Sequence, residues 1–174
     1  MKGTLAELTE WLESDEAESR TYRAKRLQLL LDIFATDETE VMFHGGIASH
    51  SIYTELRLAF IHGLFLTTLL LAFACVEKEL AGALYARGTS RAARDTLDSL
   101  LRDSLACGEI DAGLLHSITA LKDLRNSTAH YRPPLHKGGA VGRALQQDKA
   151  LHELSLDDAT FALTVLSSFI NRHR

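Results

Sequence analysis

The stretch Ala59 to Val76, AFIHGLFLTTLLLAFACV, decides the fold. It runs eighteen residues without a full charge, close to the shortest segment that spans a bilayer. His62, Gly63, Thr67 and Thr68 interrupt it, and its pattern continues unbroken through Glu77, Lys78 and Glu79 to Tyr85. No basic flank follows the charged triplet. A segment of this kind fits the central helix of a soluble bundle better than a membrane span. The expectation is one long helix over residues 52–87, apolar on most sides and stopped by Gly88. It would be the hub of the bundle or its self-association surface. Gly63 and Gly82 are the positions where it could bend or admit another backbone.

Working outward, proline is confined to Pro133 and Pro134, and Leu/Ala-rich stretches dominate. The chain therefore reads as all-α. On the N-terminal side, the spacing predicts a short helix from Thr4 to Glu13 and a second from Glu16 to Ala35, together a helical hairpin. Residues 36–51 read as a loop broken by Gly45 and Gly46, with Ser51 as the cap of the long helix. On the C-terminal side, a helix is expected from about Ser90 to Leu105. Another should run from its cap Asp111 to about Tyr131, and a last one from about Leu156 to Asn171 with Ser155 or Asp157 as cap. Residues 136–149 read as a Gly-containing polar loop. A boundary near residue 50 divides an N-terminal extension, 1–50, from a four-helix core, 51–174.

Length and composition fit this picture. The 174 residues suit one domain with a small addition, and 46% hydrophobic residues allow a packed core. The net charge of −4 argues against a general electrostatic DNA binder, although a local arginine patch can still act on RNA. Cys75 and Cys107 lack metal-ligand spacing and read as free thiols of a reducing, cytoplasmic environment. The acidic, amphipathic N-terminus has no apolar core of a signal peptide.

The chemistry concentrates in LKDLRNSTAHYRPP, Leu121 to Pro134. Arg125 continues the apolar stripe Leu114, Ile118, Leu121, where an unpaired guanidinium is costly. It must meet an acid, line a cleft or face a partner chain. Asn126 and His130 stand four apart and share a face if the helix continues that far. His130 lies near the proline break, where a helix C-terminus favours imidazolium, and Arg132 adds a second cation. An imidazole can take a proton from a ribose 2′-hydroxyl or give one to the leaving oxygen. A guanidinium can hold a phosphate bidentately and stabilise its developing charge. An amide can fix the same oxygens or orient the imidazole.

Arg125-Asn126-Ser127-Thr128-Ala129-His130 resembles the signature of the HEPN superfamily (higher eukaryotes and prokaryotes nucleotide-binding), all-α domains marked by Arg, a polar residue such as Asn, a short spacer and His. The resemblance extends over about residues 52 to 172. It implies a metal-independent endoribonuclease of the toxin, phage-defence or RNA-processing kind, with no cofactor. It further implies a homodimer in which two motifs face one composite cleft, acting on RNA and open to control by an antitoxin or regulatory protein. Arg125 and His130 would carry catalysis, Asn126 would support the site, and cleavage would leave a cyclic phosphate. The alternative is a non-catalytic helical domain that binds nucleotide or a protein partner through the same cluster.

Other candidates are weaker. Arg57 to His62 repeats the bare Arg-to-His spacing, but its spacer is apolar and lacks the Asn, so it reads as a decoy. Glu77, inside the apolar helix, is either a partner that orients Arg125 or His130 or a surface member of the EKE triplet. His44 and His50 flank a glycine pair without a third ligand type, so no metal site is expected. Arg20, Arg23, Lys25 and Arg26 form either a path for RNA phosphates or a solvated basic face.

Overall fold

The computed structural model describes residues 3–34, 43–89, 96–133 and 135–172. They form seven α-helices: α1 Leu5–Phe34, α2 Gly46–Ile61, α3 Phe65–Ala86, α4 Leu97–Ala106, α5 Ala112–Ala129, α6 Ala140–Gln147 and α7 Leu151–Arg172. No strand occurs among the described residues.

The long apolar run is two helices, not one. Gly63 sits at φ +80, which an L-residue enters only with strain. The Gly63 N–H bonds to Phe60 O and the Leu64 N–H to Ala59 O, the paired bonds of a Schellman stop. α2 therefore ends inside the run and α3 folds back against it. Gly82 has the other role. A Cβ there would lie 2.3 Å from the His44 carbonyl oxygen, so the strand of chain entering α2 crosses α3 backbone to backbone at this point. No helix among the described residues is long and apolar enough to cross a membrane.

The N-terminal hairpin is likewise corrected. α1 is a single helix, since Ser14, Asp15 and Glu16 contain neither Gly nor Pro and cost only tenths of a kcal/mol each, ~0.5 at most. Thr4 and Glu7 open it with a reciprocal cap, Thr4 N–H to Glu7 Oε2 at 2.6 Å. Its first half packs on nothing among the described residues: Leu5, Leu8, Trp11 and Leu12 are all exposed. Its second half enters the body, where Leu30 and Phe34 belong to the same core cluster as α3 and α7. The second half of α1 thus adds to the core that α3 and α7 build. Arg26 Nε, 2.7 Å from Ile61 O, and Ser167 Oγ, 2.8 Å from Ile33 O, fasten α1 to α2 and α7.

α3 is the hub, packed on α2, α4, α5 and α7. Leu69, Ala72, Val76, Leu80 and Leu84 of α3 meet Ala159, Ala162, Leu163, Leu166 and Phe169 of α7 in one buried cluster. Boundaries differ elsewhere. Ser51 lies inside α2, where its hydroxyl bonds to Ile47 O. α4 begins at its cap Thr96, and the expected start at Ser90 lies outside the described residues. Asp111 caps α5 as expected, accepting from Leu114 N–H at 2.8 Å. The expected loop over 136–149 contains α6, and α7 starts at Leu151, one turn before the caps proposed for it.

Candidate functional site

α5 carries the motif. Leu114, Ile118 and Leu121 are buried on its inner face, and Arg125 is the next step of that stripe. The partly buried guanidinium meets an aromatic ring and an amide in place of an acid. Its Cζ lies 5.2 Å from the centroid of the Phe73 ring on α3, and Nη1 donates to Asn126 Oδ1 at 3.2 Å. The ring's negative face tolerates the cation without neutralising it. No carboxylate pairs with Arg125 among the described residues, so its full charge remains available to an anion.

His130 is not on the helix face that Asn126 occupies. α5 ends at Ala129, and His130 is already extended at φ −112, ψ 141, its N–H closing the helix on Asn126 O at 3.2 Å. The ring is exposed and forms no hydrogen bond with a described residue. Pro133 bars helix only from its predecessor, yet the helix stops three residues earlier. Ser127 and Thr128 hydroxyls both turn back to the Leu124 carbonyl, at 2.8 and 3.0 Å, a bonding mode that loosens a last turn. No hydrogen bond or ion pair joins Arg125 to His130.

Beside the motif lies a cleft of about 690 Å³ between α5, α6 and α7. Leu124, Leu154 and Phe161 form its apolar side, while Asn126, Arg132 and His136 are polar lining groups. The wall is held where Arg143 of α6 grips Asp158 of α7 through its two terminal nitrogens, Nη1 to Oδ1 at 2.8 Å and Nη2 to Oδ2. That pairing holds the Arg143 guanidinium above its usual range. Two turns stand at this end, His136 N–H bonding to Pro133 O and Gly139 N–H to His136 O. Gly138 N–H donates to His136 Nδ1 at 3.1 Å.

Of the five residues expected at the site, Asn126 and Arg132 line the cleft, Arg125 stands behind Asn126 against α3, and His130 lies in the solvent-exposed chain just past α5. Glu77 is half-buried one turn from Phe73 and forms no hydrogen bond with a described residue. The buried acid of the triplet is Glu79, only 2% exposed, which accepts the N–H groups of His44 and Gly45 at 2.8 and 3.0 Å. It holds the start of α2 and is remote from the motif in role. The shared place of His136, Asp123 and Phe161 at a cleft was not read from the sequence, because α6, which completes its wall, read as loop. The only signal was the amphipathic spacing of Ala140, Val141, Ala144 and Leu145, masked by three glycines before Arg143.

The remaining candidates fall to structural uses. Arg57 stands over the Tyr53 ring at 5.7 Å, and His62 caps α2. Arg23 bonds to Glu16 and Arg26 to Ile61 O, leaving Arg20 and Lys25 as the exposed members of the basic run. Among the described residues no three His, Cys, Asp or Glu side chains form a metal-ligand group. No family model matches the chain, and no similar curated protein or solved structure is found.

Proposed function

We propose that this chain is a metal-independent endoribonuclease of HEPN type that works as a homodimer. The observation that carries the reading is the state of Arg125: a guanidinium oriented by an aromatic ring and an amide, with no carboxylate among the described residues to neutralise it. Such a group is prepared for a phosphate. The exposed His130 imidazole, five residues on, is the nearby group able to move a proton. In the proposed step, an imidazole removes the ribose 2′-hydroxyl proton as that oxygen attacks phosphorus. The bond to the 5′-oxygen breaks, the leaving oxygen takes up a proton, and a 2′,3′-cyclic phosphate remains. Because Arg125 and His130 are not in contact within one chain, the second copy brings its own pair to the same phosphodiester. An antitoxin or regulatory partner would act by covering that assembly.

The test uses total RNA with chelator present. The wild type should cut it, His130→Ala should lose about a hundredfold or more, and Arg125→Ala a similar factor. Arg125→Lys keeps the charge without the planar fork and should recover only part of the rate. Equal cleavage by all variants would reject the assignment. No cleavage by wild type, with nucleotide affinity retained, would favour the non-catalytic binding domain. Light scattering should find a dimer at tens of micromolar, an order-of-magnitude choice of concentration.

A further inference from the structure

We propose that the cleft between α5, α6 and α7 seats one nucleotide of single-stranded RNA, with a preference for bases that carry an exocyclic amine. The proposal extends the ribonuclease reading and rests on it for the identity of the ligand.

The cleft's volume, about 690 Å³, lies within the range of small-ligand sites, roughly 300–1,000 Å³. Its apolar side, Leu124, Leu154 and Phe161, suits a flat ring. The polar groups facing it have settled directions. Asn126 Oδ1 is occupied by Arg125, so the amide presents its NH₂. His136 Nδ1 accepts from Gly138, so the neutral ring carries its proton on Nε2 and donates there. Arg132 is exposed and donates only. Three donors around an apolar pocket call for a ligand with an anionic, acceptor-rich part joined to a ring.

The acids of the cleft sharpen this. Asp158 is held by Arg143 and Asp157 by Lys149. Asp123, whose carboxylate forms no hydrogen bond with a described residue, is the lining acid that no cation among the described residues holds, and the Gln147 amide lies on the same cleft. A carboxylate beside a base accepts from an exocyclic amino group, as on adenine, cytosine or guanine, whereas uracil has no such amine and offers only its ring N3–H, which is set further in from the edge. A nucleotide of RNA supplies every piece: ring for the apolar side, phosphate for Arg132, amine for Asp123. The site also adjoins the motif, since Asn126 belongs to both.

The test measures binding on uncut RNA. The full chain carrying His130→Ala is titrated into fluorescein-labelled single-stranded oligo-A, oligo-C and oligo-U, with anisotropy as the readout. Oligo-A and oligo-C should bind about tenfold tighter than oligo-U. Asp123→Ala should abolish that difference, and Arg132→Ala should weaken all three by about tenfold. Both residues are exposed, and unchanged circular dichroism checks the fold. Equal affinity for the three strands, or indifference to both substitutions, overturns the proposal. Excess 5′-AMP should displace oligo-A. Binding of 5′-AMP without binding of oligo-A would assign the cleft to a free nucleotide and overturn the RNA proposal. A wild type that never cuts RNA, with the base preference intact, sinks the ribonuclease reading and leaves the cleft assignment standing. Cleavage without the preference does the reverse.

Discussion

At the scale of single residues, the charged triplet of α3 shows what a buried carboxylate does here. Glu79 accepts from two backbone N–H groups at the start of α2, those of His44 and Gly45. Glu79→Ala should destabilise the protein by about 1–3 kcal/mol, because both part-buried N–H groups would lose this charged acceptor. Glu79→Gln, which keeps one acceptor, should cost less, and both are measured by urea denaturation. Burial, with the Glu79 charge adding to it, pushes the Cys75 thiol up to about 12. A thiol reagent at pH 8 should therefore label exposed Cys107 in the native protein and reach Cys75 only after denaturant is added. The position of Arg125 on an inner stripe was legible from spacing alone, and so was the conflict its charge creates. Its resolution by Phe73 was not, because the partner lies on another helix and no local pattern encodes it. Glu77 and Glu79 differ by about 200° around α3, on the order of half a turn, and hydrophobicity on most sides gave no means to choose between them.

At the scale of elements, helix existence was readable, but helix ends depended on details of chemistry. Asp111 was identifiable as a cap because an aspartate preceded an apolar period. The break at Gly63 was hidden by apolar residues on both sides, since a Schellman stop needs only one glycine and no polar signal. Gly63→Ala should destabilise by roughly 1–2 kcal/mol through backbone strain alone. The added methyl would meet only the Arg26 guanidinium at 3.4 Å, an ordinary contact. Asn at the same position should cost less, and thermal melts of the three proteins check the order. Asp111 gives a pH signature. Its carboxyl is held below the usual range, chiefly by the Leu114 N–H and then by Arg172. A depressed folded value means the stabilisation is present above the ordinary aspartate range near ~4 and is lost as pH falls through the folded value. The melting difference between wild type and Asp111→Ala should therefore be full at pH 7 and shrink below about pH 4.

At the scale of the whole molecule, one core is built from α3 and α7, with the other helices laid on them. Leu80→Ala or Leu163→Ala, each at a fully buried position, should cost about 2–5 kcal/mol and test whether the core is continuous. The all-α class followed from composition, while the layout did not: α6 and its grip on Asp158 build the cleft wall from residues that looked like loop. The overhanging half of α1 has a practical corollary. Trp11 is the chain's sole tryptophan and is 59% exposed in the folded state. Its indole is already largely wet before any core opens. Global unfolding should leave its emission colour nearly unchanged while the far-ultraviolet helical signal collapses. A blue shift without loss of helix would then report a molecule settling on that arm, making the fluorophore an indicator of association and a poor thermometer of folding.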